Sequence, residues 1–437
     1  MTDALLAHSA AFRRRRVFNW FPLGLAYAFL YMGRYSYIPA KDELERLMDN
    51  AALGIVGTVG AVVYGVSFLL NGPLTERFGG RRAMLIATMG SALVNLAIGL
   101  MLAVGWTQNF LVSYAVLLGV NMYFQSFAAI AIVKVNAAWF HVRERGVFGG
   151  IFGIMISSGL FLAYTVSPMA MKWFFKGSPQ YYFILPGLLL LVNFLSTLAF
   201  VRDTPGEAGL GDFDTGSSDE FDHRGETPSV VSVMRRLLTH RIVLTIALIE
   251  FCTGVLRNGV MYWFPSWAKQ SGMPQVREWL GVGLFAAGIL GGLAAGWVSD
   301  RVFDSRRPPV AGLLYGVMIV LALGLSGCLW IMPPSSTLLP YVVYGLVVLS
   351  SVCVIGTHGV LSGTSTADFG GKQATAMAVG IIDGFVYLGV GVQSLCLGYL
   401  TKTSWTYWGP FLVPFAVVGF LLALRVWHAK PTRSGAH

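Results

Sequence analysis

Charge is scarce in this sequence. Only 12% of the 437 residues are Asp, Glu, Lys or Arg, about half the share found in an ordinary soluble domain. Hydrophobic residues make up 55%, and the mean hydropathy is +0.65. That balance excludes a soluble globular domain and a disordered chain, and leaves a protein that crosses a bilayer many times. Cysteine is also sparse. Cys252, Cys328, Cys353 and Cys396 each lie in an apolar run without C-x-x-C spacing, so neither a disulfide framework nor a metal site is expected. No P-loop lysine motif occurs, which excludes direct use of ATP. No Ser/His/Asp nucleophile set shares a segment, so no enzyme and no cofactor are expected. The net charge of +10 does not point to nucleic acid, because the basic residues sit in short loops between apolar runs, where they mark the cytoplasmic side.

The apolar runs number twelve, which at about 20 residues per span accounts for most of the chain. They fall near 18–38, 53–72, 83–105, 110–139, 147–172, 181–201, 241–268, 279–298, 310–332, 338–363, 373–400 and 405–427. The expected architecture is all-α and integral to the membrane, as two six-helix halves over 18–201 and 241–427. A basic stretch (1–17) precedes them and a short tail (428–437) follows. Between the halves, 202–240 mixes Asp and Glu with Gly, Ser and Thr and reads as a flexible acidic linker. Arg13–Arg16 before an apolar run could imitate a secretory signal, but the run is too long and lacks a small-residue cleavage site. With twelve spans, the basic clusters at 13–16, 77–82, 143–145, 301–307 and 425–433 all fall on one side. Both termini are then expected in the cytoplasm.

Within the first run Arg34 is the one side chain of fixed charge. A guanidinium in hydrocarbon costs at least a few kcal/mol and is normally retained to meet a cavity, a partner or a ligand. Tyr27, Tyr31 and Arg34 fall at i, i+4 and i+7, one stripe of a helix. Arg257 repeats the situation in the seventh run. The plainer alternative is that each arginine snorkels to the interface or pairs with a carboxylate. An internal repeat weighs against it. Gly296-Trp-Val-Ser-Asp300-Arg301, with Arg306 and Arg307, echoes Gly72-Pro-Leu-Thr-Glu76-Arg77 with Arg81 and Arg82. Arg34 precedes Gly72 by 38 positions and Arg257 precedes Gly296 by 39. Parallel halves of this kind place a ligand site near mid-membrane between them.

With these motifs the chain resembles the major facilitator superfamily, whose acidic-Arg-x-Gly-x-Arg-Arg loop is matched by Glu76–Arg82 and, degenerately, by Asp300–Arg307. A narrower likeness is to its organophosphate:phosphate antiporters, the glycerol-3-phosphate and hexose-phosphate carriers. It rests on Tyr31-Met-Gly-Arg34, Trp139-Phe-His-Val-Arg-Glu-Arg-Gly146, Arg202-Asp-Thr-Pro-Gly-Glu-Ala-Gly-Leu210, Leu256-Arg257-Asn-Gly259 and Trp263-Phe-Pro-Ser266. The resemblance implies that Arg34 and Arg257 hold a substrate phosphate, with Tyr27, Tyr31, Tyr64 and Tyr387 around it. Lys134 and His358 match basic positions of the family. Glu76, Arg77, Arg81, Asp300 and Arg301 would form the conformational-switch loops. Departures accompany the likeness. Phe68 and Ile156 stand near places where relatives carry basic groups, while Glu250 and Asp383 are additional acids. Both acids join the candidate substrate-binding set, or else pair with Arg257 or Lys134.

The expected function is secondary transport of a small organic phosphate or phosphonate, exchanged for inorganic phosphate by rocking of the halves. The alternatives are a proton-coupled carrier of another anion such as a carboxylate, and a membrane sensor of sugar phosphates. The expected setting is a bacterial inner membrane, with the protein monomeric in the bilayer.

Overall fold

Long apolar runs without competing donors must satisfy their backbone groups internally, and the chain does so as helices. The computed structural model describes residues 8–44, 49–106, 108–141, 145–215, 235, 238–271, 276, 278–303, 306–362 and 372–428, and these contain no β-strand. The N-terminal half comprises α1 (Ala10–Tyr35), α2 (Tyr37–Leu44), α3 (Asn50–Phe78), α4 (Gly80–Ala103), α5 (Phe110–Trp139), α6 (Arg145–Phe161), α7 (Ser167–Phe174) and α8 (Tyr181–Phe200). A π-helical turn at Leu162–Val166 joins α6 to α7. The C-terminal half comprises α9 (Arg241–Met261), α10 (Phe264–Gln270), α11 (Leu280–Val302), α12 (Arg307–Ile331), α13 (Leu339–Leu361), α14 (Lys372–Thr403) and α15 (Trp408–Arg425).

Eleven segments of the described chain are long and apolar enough to cross a membrane. The first expected span, α1, is not among them by that measure. Its 26 residues include Asn19, Arg34, three tyrosines and the arginines of its first turns. It nevertheless packs against α5, α6 and α8 inside the bundle, and much of its length from Leu23 to Tyr35 is buried. Its polarity therefore belongs to the interior.

The halves meet along two seams, α3 against α14 and α6 against α11. Both rest on small residues. A Cβ at Gly54 would lie 2.5 Å from the Ser394 carbonyl and 2.9 Å from Gly398 Cα, so backbone touches backbone there. The same end carries three hydrogen bonds between the halves: Asn50 Nδ2 to Thr401 Oγ1 (3.2 Å), Thr58 Oγ1 to the Gly391 carbonyl (3.1 Å) and Tyr262 OH to the Leu53 carbonyl (3.1 Å). Lys402 and Asp49 add an exposed ion pair at 2.7 Å, of small energetic value in water. Toward the other end, Gly72 on α3, Gly153 on α6, and Gly292 and Gly296 on α11 present no Cβ position within 4 Å of a described atom of a neighbouring element. The halves are thus joined closely at the end of residues 49–58, while these four glycines nearer the basic loops have room beside them.

The expected flexible linker is in part ordered. Arg202 N donates to Asn19 Oδ1 (2.7 Å), Trp139 Nε1 donates to the Arg202 carbonyl (3.0 Å), and Gly206 N donates to Asp212 Oδ1 (2.8 Å). Phe213 packs edge-on against Phe12 at 5.5 Å. Residues 202–215 therefore clasp the end of the N-terminal half, because buried backbone donors and an aromatic ring anchor them; most of 216–240 lies outside the described residues.

Candidate functional site

Arg34 is 2% exposed, in the middle of the bundle. A buried guanidinium needs its donors met. Nε donates to Gln125 Oε1 (2.9 Å), Nη1 to Tyr387 OH (2.7 Å) and Nη2 to Tyr64 OH (2.7 Å). Its Cζ also lies 4.7 Å from the centroid of Tyr31 and 4.2 Å from that of Tyr64, within cation–π range. Tyr27 meets Tyr31 edge-on at 5.2 Å, so the stripe expected from spacing is a continuous aromatic wall. Gln125 is itself fixed. Its Nε2 donates to Ser91 Oγ (3.1 Å) and Asn121 Oδ1 (3.3 Å), and Asn95 Nδ2 donates to the Ser91 carbonyl (2.8 Å). This buried polar ladder was missed in the sequence. Its signal was there as Ser91/Asn95 and Asn121/Gln125, two i, i+4 polar pairs in apolar runs.

Arg257, on α9, is 8% exposed. Its Cζ lies 5.5 Å from the Tyr387 ring, while its Nε and Nη2 are buried without a hydrogen-bond partner, as is Asn258 Oδ1. Tyr387 on α14 thus stands between the two arginines, its hydroxyl on Arg34 and its ring beside Arg257. A cavity at this point is lined by Arg34, Tyr35, Tyr37, Asn258, Tyr387 and Ser394. Phe68 packs 4.7 Å from Tyr64 and 6.1 Å from Tyr387, an apolar ring against both tyrosines.

The acids do not pair with Arg257 or Lys134. Glu250 Oε2 lies 2.6 Å from His358 Nδ1, and Glu250 Oε1 is buried without a partner. Asp383 Oδ1 accepts from Ser362 Oγ at 2.6 Å. Lys134 donates to the Thr75 carbonyl at 3.3 Å, near the end of α3, and so is not brought to the arginines. Geometry explains the difference: His358 and Ser362 share one face of α13, one turn apart, and meet the acids before either basic side chain can.

The loops expected to act as conformational switches lie at the end opposite residues 49–58. Arg77 and Arg301 are exposed, and the side chains of Glu76 and Asp300 fall outside the described residues. Gly79, at φ +88°, makes the turn between α3 and α4, a conformation suited to glycine. Arg81 N, in the first turn of α4, donates to Asp203 Oδ1 (2.6 Å), and Arg81 Nη2 donates to the Leu198 carbonyl (2.7 Å). Asp203 thereby serves the start of α4 from a distant loop. Burial pushes its carboxyl above the usual range, against the pull of the Arg81 amide. Among the described residues no three His, Cys, Asp or Glu side chains gather as a metal site would require.

Residues 23–367 match the Major Facilitator Superfamily. This chain belongs to that superfamily. It is a multi-pass membrane protein of a transporter family, not an enzyme. It is 24% identical to the membrane sensor protein UhpC of Escherichia coli, over 92% of this chain and 89% of that one. It is 23% identical to the glycerol-3-phosphate transporter of Bacillus subtilis, over 96% and 94%. It is 24% identical to a probable hexose phosphate transport protein of Chlamydia trachomatis, over 95% and 91%. Its fold superposes with TM-score 0.70 and 13% identity on a bacterial homolog of the human lysosomal transporter Spinster, in an inward-facing and unoccupied conformation. That match covers 98% of this chain and 100% of that one.

Proposed function

We propose that this superfamily member is a secondary transporter of a small organic phosphate or phosphonate, working in exchange for inorganic phosphate. The observation that carries the reading is Tyr387 between Arg34 and Arg257, one arginine from each half, beside a cavity at the seam. A guanidinium stays charged when desolvated and grips two oxygens at once. The two unpartnered nitrogens of Arg257 are donors that a phosphoryl oxygen pair would meet. The two remaining N–H donors of Arg34 would meet phosphate oxygens, and the Tyr64 and Tyr387 hydroxyls, which accept from Arg34, would donate to the same oxygens. Contact with both halves would make ligand binding the event that draws them together, and rocking would then expose the site to the other side. The curated relatives named for glycerol phosphate and hexose phosphate support this substrate class. On this reading Tyr27, Tyr31 and Tyr64 complete the pocket, both termini face the cytoplasm, and the monomer works in a bacterial inner membrane.

The test is counterflow. Purified protein in phosphate-loaded liposomes should take up labelled phosphate and release it against external organophosphates, and carboxylates of similar size should not compete. Binding of sugar phosphates without exchange would instead favour the sensor reading, for which the likeness to a membrane sensor speaks.

A further inference from the structure

Below the arginines, toward the basic loops, lies a second polar group that phosphate binding does not use. Glu250 is fully buried on α9, two helical turns before Arg257, and bonds His358 of α13 at 2.6 Å. Asp383 is on α14, one turn before Tyr387, and among the described residues its one hydrogen-bond donor is Ser362. Asp383 is within electrostatic reach of His358, Glu250 and Arg257. It is partly accessible, as is His358 at 28%.

The partners are unevenly shared. Glu250 has His358, Asp383 has a neutral hydroxyl, and Arg257 has two buried nitrogens with no acceptor. A ligand lying between Arg257 and Asp383 meets open donors at one end and, at the other, a carboxyl with no basic hydrogen-bond partner among the described residues. A phosphoryl group answers the first and an ammonium the second. The spacing fits such a ligand. Asp383 lies one helical turn from Tyr387, whose hydroxyl is on Arg34, so a phosphoryl group and an amine a few bonds apart on one ligand would face the two positions. An amine desolvated without a carboxylate would be costly, so an acid at that distance is the arrangement an ammonium requires.

We infer that the site takes zwitterionic organophosphates or phosphonates, with Arg34 and Arg257 on the phosphoryl group and Asp383, backed by Glu250–His358, on an ammonium about one helical turn away. This rests on the phosphate-clamp reading above. The experiment uses phosphate-loaded liposomes and four external probes: 2-aminoethylphosphonate and phosphoethanolamine, and their amine-free counterparts ethylphosphonate and ethyl phosphate. The wild type should prefer each amine over its counterpart. Asp383→Asn should reduce that preference by about tenfold, the effect of removing one charge-assisted contact. Phosphate self-exchange is measured in every variant to report folding. If Asp383→Asn loses self-exchange, Glu250→Gln is judged by the same ratio. Equal competition by amine and amine-free probes in the wild type overturns the inference. So does an unchanged ratio in the variants, including the case in which only the pH dependence of exchange disappears, which would make the group a proton site. If none of the four probes exchanges with phosphate, the clamp reading itself fails and this inference falls with it.

Discussion

The hydroxyl of Tyr387, on the C-terminal half, accepts a hydrogen bond of 2.7 Å from Nη1 of Arg34 on the N-terminal half. That bond crosses the seam at the point where both arginines converge. It makes Tyr387 a reporter of whether the halves meet around the site.

Arg34→Lys and Arg257→Lys should each abolish or nearly abolish phosphate exchange while the protein remains inserted and folded. Lysine keeps the charge but presents a compact ammonium in place of the planar fork. Near-normal counterflow by either variant would remove the clamp assignment.

Tyr387→Phe should weaken ligand binding by roughly ten- to a hundredfold, since a buried hydrogen bond to a charged group is worth about 1.5–3 kcal/mol. Tyr27→Phe, whose contact with Tyr31 is through the ring, should cost far less. Equal losses from both substitutions, measured as the half-saturating phosphate concentration, would contradict the geometry.

Gln125→Leu should weaken binding although Gln125 need never touch the ligand. It removes the acceptor of Arg34 Nε and leaves Ser91 and Asn121 with one donor fewer. The expected signature is a raised half-saturation constant together with a lowered thermal midpoint, with Gln125→Glu restoring part of the binding. A change in stability with unaltered affinity would reduce the ladder to a packing role.

Asp203 supplies a pH-dependent prediction. Its carboxyl is raised by burial, so the folded protein binds a proton there more readily than the unfolded chain. Stability from this group therefore grows as pH falls from neutrality through the raised value, and declines as pH rises. Thermal midpoints in detergent should show this trend for wild type relative to Asp203→Asn, which keeps an acceptor for the Arg81 amide but has no proton to gain. Parallel pH curves for the two proteins would refute it.

Much of the fold was legible in the sequence because a helix in a bilayer leaves a long, nearly uncharged run. The exception, α1, is instructive: Arg34 and its tyrosines dilute the run because they face a polar interior. Arg34 and Arg257 could be singled out by the same logic, a charge where charge is costly. What the sequence did not yield was partnership. Glu250 and Asp383 were as compatible with Arg257 or Lys134 as with His358 and Ser362, since helix-to-helix rotation decides and no local pattern encodes it. The ladder under Gln125 was hidden similarly: uncharged amides in apolar runs carry little weight until two helices align them. The clasp of residues 202–215 was masked by a composition suited to disorder, although the buried backbone of Arg202 and the ring of Phe213 hold it.

The two arginines are unequal, and the inequality bears on how the site could diversify. Arg34 is held at all three nitrogens by side chains from three other helices, so its orientation is fixed before any ligand arrives and little conformational entropy remains to be lost there. Arg257 retains two unengaged donors, next to Asn258 in the chain and within electrostatic reach of Asp383. Substitutions around Arg34 would disturb the invariant part of every substrate, the phosphoryl group. Substitutions around Arg257 would change what else the substrate must carry. New substrate ranges should therefore arise by drift on the C-terminal half, while the N-terminal half stays a common jaw.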